Sequence, residues 1–431
     1  MVILLVGAGL WLSVVTGFFP LRRCGTVARV TLGTLLPGRG KDRGGEDGIS
    51  PFQAVSTALA GTLGTGNIAG VATAIVAGGP GAVFWMWVAA LLGMSVKYAE
   101  VLLAVEYRIR DKNGRWQGGP MEYMSRGLGM PGLAAVFSAL CVLASFGIGN
   151  ATQVGSVAQT MAQDFSVPPL VTGLGMALVV GLVMMGGLTR IGAFAQTFVP
   201  RMALLYLGAG GLVLAKNAAQ IPQALGLILR CALSPSAAAG GAAGYTLQRA
   251  IHFGVARGVF TNEAGLGSAP IAHAGAAAEG PVQQGCWGIF EVFVDTILMC
   301  GFTALIILTG GSLWQSGLDG AALTSAVFSQ SLGPVGGWVV SVSLLFFSFS
   351  TVLGWGYYGE RGVGYLTGDN DLAIKAYRVL YLLVMAVTAL ASPAFLWEMS
   401  DLLNAAMMAP NLIAVVGLWR VVRRRTREHL G

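Results

Sequence analysis

Long apolar stretches recur along the whole chain, and this recurrence constrains its fold more than any other feature. A helix that crosses a membrane needs about 20 mostly apolar residues. Eleven stretches of this kind lie near residues 1–20, 51–77, 82–106, 133–161, 168–188, 192–215, 251–275, 284–311, 334–358, 376–392 and 394–419. Only 10% of the 431 residues are charged, and so few charges cannot keep a soluble surface of this size hydrated. The sequence therefore predicts an all-α polytopic protein of the lipid bilayer with eleven transmembrane helices.

The basic residues are distributed unevenly between the segments that join these stretches. With the N-terminus outside, twenty Lys and Arg residues fall in inner segments and three in outer ones. Positive residues favour the cytoplasmic side of a membrane. We therefore expect a multi-pass protein of a bacterial-type cytoplasmic (inner) membrane, with its N-terminus outside and its C-terminus in the cytoplasm. This asymmetry also accounts for the net charge of +7, so no nucleic-acid partner is expected.

The polar segments divide the chain into five parts. Residues 1–50 hold an N-terminal helix and a cytoplasmic connector, which we expect to be retained because no basic residue precedes the apolar stretch. Two halves of five stretches each occupy 51–215 and 251–420, and an outer loop region lies between them at 216–250. The tail 421–431 is strongly basic. It is either a flank that stops translocation or a segment that binds anionic lipid.

Two of the predicted helices contain glycine clusters beside polar residues. The first is TALAGTLGTGNIAG at 57–70, around Asn67, and the second is GVARGVFTNEAGLGSAP at 254–270, around Asn262 and Glu263. Glycine weakens a helix by about 1 kcal/mol relative to alanine, and non-helical backbone at membrane depth must be buried or line a cavity. The clusters begin corresponding stretches of two halves with opposite topology, a pattern typical of the central site of a transporter. Close helix packing is the alternative for these glycines, more for Gly70 and Gly258 than for the GTGN and TNEAG clusters, because packing does not require Asn or Glu.

Around these clusters the sequence resembles the alanine/glycine:cation symporter family, also called sodium:alanine symporters. GGPGAVFWMWVAALLG at 78–93 matches the signature of that family in full. Further matches are TALAGTLGTGNIAGVATAI at 57–75, KYAE at 97–100, GGPMEYM at 118–124, FTNEAGLGSAPIAHA at 260–274 and FSFSTVLGWGYYGE at 347–360. The resemblance runs from about residue 50 to residue 420. It implies a leucine-transporter-like fold of five-plus-five inverted helices after one extra helix, and uptake of a small neutral amino acid with sodium.

The resemblance implies a set of substrate-binding residues. The main-chain amides of Gly64, Thr65 and Gly66 would bind the substrate carboxylate at the N-terminal end of a half-helix. The amide oxygen of Gln153 and carbonyls near Phe260 would accept from the ammonium group. The remaining candidates for the substrate site are the polar residues of the two glycine clusters and an aromatic residue that would bound the pocket with Phe260. They are Asn67, Thr261, Asn262 and Trp355.

The resemblance also implies a sodium site, because sodium prefers oxygen ligands, including carbonyls freed where a helix unwinds. Its candidate ligands are the carbonyls of Ala60, Leu63 and Phe347 and the hydroxyls of Ser350 and Thr351. The alternative for both hydroxyls is a bond back to their own helix. A second cation position would use two residues already named, Asn67 and Thr261, together with the substrate carboxylate. We expect sodium as the coupling ion and no other cofactor.

Several interpretations stay open. Glu263 is costly at mid-membrane, and it either orders the second cluster by accepting backbone amides or accepts from the substrate ammonium. Lys97 and Glu100, three residues apart, are a candidate local pair, whereas Glu291 and Asp295 share one helix face directed at the interior. A proton-coupled carrier is the main alternative function. A channel and an integral-membrane enzyme are less favoured, because the sequence shows inverted halves and no catalytic motif. The preferred amino acid stays open, and nothing requires an oligomer.

Overall fold

The computed structural model describes residues 1–34, 49–112, 114–233, 246–278 and 280–430, which are almost entirely helical. The helices before the gap at 234–245 are α1 (Val2–Val15), α2 (Phe19–Arg22), α3 (Cys24–Thr31), α4 (Pro51–Thr62), α5 (Val71–Gly78), α6 (Gly81–Glu106), α7 (Pro120–Glu122), α8 (Pro131–Phe146), α9 (Thr152–Phe165), α10 (Pro169–Met184), α11 (Gly187–Lys216) and α12 (Ile221–Leu233). Those after it are α13 (Leu247–Asn262), α14 (Ala269–Ala274), α15 (Pro281–Val292), α16 (Gly301–Thr309), α17 (Gly320–Leu332), α18 (Pro334–Thr367), α19 (Asp371–Thr388), α20 (Pro393–Gly417) and α21 (Trp419–Leu430). Two short strands, β1 (Ile109–Arg110) and β2 (Trp116–Gln117), pair in an antiparallel hairpin.

Six helices in the described part of the chain are long and apolar enough to cross a membrane, and a seventh span is the bent pair of α4 with Gly66–Gly78. These six continuous helices are Gly81–Glu106, Pro131–Phe165, Gly187–Lys216, Pro281–Thr309, Pro334–Thr367 and Ala394–Gly417. Pro131–Phe165 combines α8 with α9, and Pro281–Thr309 combines α15 with α16, each pair being joined by a π-helical turn. Two of the other predicted spans are short, since α1 has 14 residues and α10 has 16. The protein is therefore a polytopic helical membrane protein, and the number of eleven spans stays a prediction.

The first glycine cluster interrupts its helix. A capping box starts α4, in which Ser50 Oγ accepts from the Gln53 amide and the Gln53 side chain accepts from the Ser50 amide. The helix ends at Thr62, where Leu63 takes an extended backbone with ψ of 90°. A π-helical turn over Gly66–Gly70 then leads into α5, and the two parts are bent by 52°. The bend leaves main-chain groups of the interruption outside regular helix.

The second glycine cluster lies between α13 and α14. Glu263 ends α13 in the left-handed region, with φ of 55°. Gly265 and Gly267 follow with φ of 89° and 78°, values at which a side chain costs roughly 1–2 kcal/mol. Six residues therefore separate two helices that the apolar pattern alone would join into one.

The described part of the chain also contains helices outside the predicted spans. Within the predicted outer loop region, α12 packs against α6, and Trp85 Nε1 donates to the Ala232 carbonyl at 3.0 Å. The sequence analysis did not predict α17, whose 13 residues are too few to span a membrane. Its Thr324 hydroxyl donates to the Ile68 carbonyl of the first interruption at 3.1 Å. The polar segments at 38–48 and 234–244 lie outside the described residues.

The long helix α18 holds the centre of the structure. It packs against α4, α8, α9 and α11, and most of its middle third is buried. This packing brings the FSFST segment of α18 beside the first interruption, and it brings Trp355 beside the second. The fold therefore gathers the predicted site residues from four separate parts of the chain.

Candidate functional site

The first interruption is hydrogen-bonded by two side-chain amides. The Gly64 amide donates to Asn67 Oδ1 and the Thr65 amide donates to Gln153 Oε1, both at 3.0 Å. Gln153 is oriented in turn by its Nε2, which donates to the Ile148 carbonyl at 3.0 Å. The structure thus brings Gln153 to the predicted carboxylate-binding amides, 88 residues away in sequence.

Close approach requires glycine at this interruption. A Cβ atom on Gly64 would lie 2.6 Å from Thr351 Oγ1 and 2.8 Å from Gln153 Oε1. A Cβ atom on Gly66 would overlap the Thr261 methyl group and lie 3.1 Å from the Phe260 ring. Side chains from α9, α13 and α18 therefore contact the backbone of the first interruption directly.

Four of the five predicted sodium ligands are linked by hydrogen bonds, one of which crosses the gap between α4 and α18. Thr351 Oγ1 donates to the Leu63 carbonyl at 3.2 Å and to the Phe347 carbonyl at 3.1 Å. Ser350 Oγ donates to the Phe347 carbonyl at 2.7 Å. Ala60 lies three residues before Leu63, and its side chain is buried. Both hydroxyls bond back to their own helix, as the alternative interpretation expects, but Thr351 also reaches the free end of α4.

Asp295 joins the two interruptions, and the sequence analysis assigned it no role at the substrate. Asn67 Nδ2 donates to Asp295 Oδ1 at 2.7 Å, and Thr296 Oγ1 donates to Asp295 Oδ2 at 2.7 Å. Thr296 Oγ1 accepts from Asn262 Nδ2 at 3.0 Å and lies 3.4 Å from Thr261 Oγ1. These five side chains are fully or almost fully buried. The available signal was an acidic residue inside an apolar helix, which usually faces a partner in the protein interior.

Glu263 accepts hydrogen bonds from one side chain of the second interruption and from one side chain of α18. Its Oε1 accepts from Trp355 Nε1 at 2.6 Å, and its Oε2 accepts from Ser268 Oγ at 2.5 Å. These partners differ from the backbone amides and the ammonium group that the sequence suggested. Glu263 therefore connects the interruption to α18, and it fixes the orientation of the Trp355 ring.

An aromatic pair beside the first interruption consists of Phe260 and Trp397, whereas the sequence suggested Trp355 as the partner of Phe260 and did not indicate Trp397. Their ring centroids are 4.5 Å apart. The buried Arg257 guanidinium lies 4.6 Å from the Trp397 ring and donates to the Asp401 carboxylate. An aromatic residue in an apolar helix carries no distinguishing signal, because most such residues only pack.

Lys97 forms its ion pair with Glu291, at 3.4 Å, in place of the suggested local pair with Glu100. Glu291 Oε2 also lies 3.1 Å from His273 Nε2, and all three side chains are fully buried. Glu100 accepts instead from Asn411 Nδ2. Spacing along α6 could not indicate these partners, because they come from α14, α15 and α20. Among the described residues, no group of three or more His, Cys, Asp or Glu side chains could hold a metal ion.

A polytopic helical protein with two interrupted helices that meet at buried polar groups belongs to the class of membrane transporters. The solved structure of Mhp1, a nucleobase-cation-symport-1 family transporter, supports this fold with a TM-score of 0.57 at 14% identity, covering 90% of this chain and 82% of Mhp1. The model of the sodium:alanine symporter family matches residues 1–430, and the chain belongs to that family. The predicted family is therefore confirmed, and its members are transporters rather than enzymes.

Two relatives cover nearly all of the chain. The sodium/alanine symporter AgcS of Methanococcus maripaludis is 44% identical over an alignment of 434 residues that covers 99% of this chain and 93% of AgcS. An uncharacterized transporter of Haemophilus influenzae is 46% identical over 431 residues, which are 100% of this chain and 92% of that protein. These matches support amino-acid symport across a membrane as the function of the family to which this chain belongs.

Proposed function

We propose that this protein uses sodium entry to drive uptake of a small neutral amino acid, such as alanine or glycine, by alternating access. The observation that carries this proposal is the bond from Thr351 of α18 to the Leu63 carbonyl at the free end of α4. Hydrogen bonds link two carbonyl and two hydroxyl oxygens there, and oxygen ligands at an unwound helix suit sodium. The same proposal includes residues 51–215 and 251–420 as the two inverted halves of the carrier.

The substrate would bind at the first interruption, next to this sodium site. Its carboxylate would take the amides of Gly64, Thr65 and Gly66 at the start of a half-helix, where the helix dipole is positive. Its ammonium group would bind the Gln153 amide oxygen and carbonyls near Phe260. A Cβ atom on Gly66 would overlap Thr261 and approach Phe260, so the proposed carboxylate position requires glycine there.

Coupling to a proton is the second candidate, and one observation favours it. Asp295 is fully buried, and the side chains that hydrogen-bond its carboxylate in the described part of the chain are neutral, namely Asn67, Thr296 and Thr261. An isolated carboxylate at membrane depth is costly unless a cation or a proton neutralises it. Within sodium symport, the same observation favours a second cation position that uses Asn67 and Thr261 beside Asp295.

Membrane potential should drive alanine uphill into proteoliposomes that contain this protein and equal sodium on both sides. The substrate is neutral overall, so one sodium ion per cycle carries one net charge inward. One charge crossing 100 mV is worth about 2.3 kcal/mol, which supports roughly 50-fold accumulation. The measurement is radiolabelled alanine uptake under an inside-negative potassium diffusion potential.

Asn67→Ala should weaken this accumulation, because the substitution removes the acceptor of the Gly64 amide and a donor to Asp295. Removing sodium should abolish uptake at the same potential. Accumulation that ignores sodium and potential but follows a pH gradient under electroneutral conditions would reject sodium symport and leave the proton-coupled carrier.

We also propose an inner-membrane location with residue 1 outside and residue 431 in the cytoplasm, on the basis of the basic-residue asymmetry. A fluorescent reporter that folds only in the cytoplasm should be bright when fused after Gly431. Alkaline phosphatase, which is active only in the periplasm, should be inactive at the same position. The reverse pair of results would contradict this orientation.

A further inference from the structure

A cavity of about 550 Å³ lies between the ends of α1 and α21, apart from both interruptions. Four arginine residues line it. They are Arg22, Arg23, Arg423 and Arg427. Two indole rings also line it, those of Trp11 and Trp419, whose centroids are 5.9 Å apart in an edge-to-face arrangement. Neither the proposed symport nor the fold requires four guanidinium groups around one cavity.

No carboxylate of a described residue pairs with any of these four guanidinium groups. The acidic residues nearby are occupied by other arginines of the same tail, since Glu106 and Glu428 accept from Arg425. Arg423 and Arg427 are four residues apart on one face of α21 and point into the same space. Four positive charges around one cavity repel each other, and an anion bound between them relieves that repulsion.

The surroundings of the cavity indicate which anion binds. Trp11 and Val14 line it from α1 and are 46% and 61% exposed, and Leu10 and Ile3 continue the same exposed apolar helix. Tryptophan side chains favour the depth of lipid head groups, and exposed leucine and isoleucine contact acyl chains. Basic pockets between helices at the cytoplasmic surface bind phosphate head groups. A soluble anion would gain nothing from the apolar wall.

We propose that this cavity binds the phosphate head group of one anionic phospholipid, whose acyl chains lie along α1. The lipid contacts both the first and the last helix of the described chain, and its phosphate neutralises part of the positive charge around the cavity. This proposal needs only a membrane protein with this cavity, so it stands or falls independently of sodium symport.

The test uses the full-length protein in detergent, with three probes: phosphatidylglycerol, phosphatidylcholine with the same acyl chains, and inorganic phosphate. Native mass spectrometry measures binding, and thermal unfolding measures stabilisation. Binding of phosphatidylglycerol should saturate at one molecule per protein, and it should raise the unfolding temperature more than the other two probes do. An arginine near the membrane surface contributes about fivefold to such binding, so Arg423→Gln with Arg427→Gln should weaken it about 30-fold.

A matched control lies on the same helix. Arg420→Gln with Arg424→Gln removes the same charge from α21, but neither residue lines this cavity, and binding should stay within about twofold of the unsubstituted protein. Equal losses in the two double variants would mean diffuse attraction to a basic helix and would overturn the proposal. Phosphate that binds as tightly as phosphatidylglycerol would overturn the lipid assignment. Arg22→Gln with Arg23→Gln, on the opposite wall, repeats the test if the first variant does not fold.

Discussion

Replacing Gly64 with alanine is expected to abolish sodium-driven alanine uptake. The added methyl group would lie 2.6 Å from Thr351 Oγ1 and 2.8 Å from Gln153 Oε1. Both atoms belong to the proposed site, so relief of the overlap must move a sodium ligand or the ammonium acceptor. Overpacking costs up to about 3 kcal/mol, which corresponds to a loss of roughly 100-fold in the uptake rate. Initial uptake rates in proteoliposomes, normalised to the amount of protein inserted, measure the effect.

Gly175→Ala is the matched control, because no atom outside its own helix lies within 4 Å of the position that its Cβ would occupy in α10. This variant should transport at close to the rate of the unsubstituted protein. A Gly64→Ala protein that folds and retains more than about a tenth of the uptake rate would contradict the proposed substrate position.

Removing both hydroxyls from α18 should raise the sodium concentration for half-maximal uptake by about 100-fold or more. Ser350→Ala with Thr351→Ala deletes two of the four oxygens that converge at Leu63 and Phe347. A hydrogen-bonding group that contacts a charge contributes at least about 1.5 kcal/mol, so the loss of two such groups weakens sodium binding by roughly 150-fold. Alanine binding at saturating sodium should survive, because the amides of the first interruption remain.

Thr367→Ala with Thr388→Ala supplies the control for this pair. Both hydroxyls bond back to carbonyls of their own helices, at 2.8 and 2.9 Å, and lie outside the proposed site. Their loss should leave the sodium dependence unchanged. An unchanged sodium dependence in the Ser350 and Thr351 double variant would instead support the interpretation in which these hydroxyls only stabilise α18.

The sequence predicted well those features that depend on local chemistry. Glycines beside polar residues predicted both helix interruptions, because a clustered loss of helix propensity is visible within about 15 residues. The signature at 78–93 predicted the family, which the comparison confirmed. Gln153 was recognised because a polar side chain inside an apolar helix needs an interior partner.

The remaining contacts depend on distances in sequence that no local pattern spans. A buried carboxylate such as Asp295 requires donors, but its sequence position does not identify Asn67, 228 residues away, as one of them. The suggested Lys97–Glu100 pair failed for the same reason, since Glu291 approaches Lys97 from another helix. Trp397 and α17 gave no signal, because a packing aromatic and a short apolar helix look alike whether or not they adjoin a site.

The hydrogen bonds of Gly64 and Thr65 bear on which molecules this site can select. Their amides already donate to Asn67 Oδ1 and Gln153 Oε1, so a carboxylate bound at the proposed position would have to replace both oxygens. Displaced from the Thr65 amide, the Gln153 oxygen needs a new donor, and a buried acceptor without one costs about 1–3 kcal/mol. An α-amino acid supplies that donor on the carbon next to its carboxylate, whereas propionate has no hydrogen-bond donor there. The protein's own amide partners would thus discriminate against simple carboxylic acids before any side-chain pocket is reached.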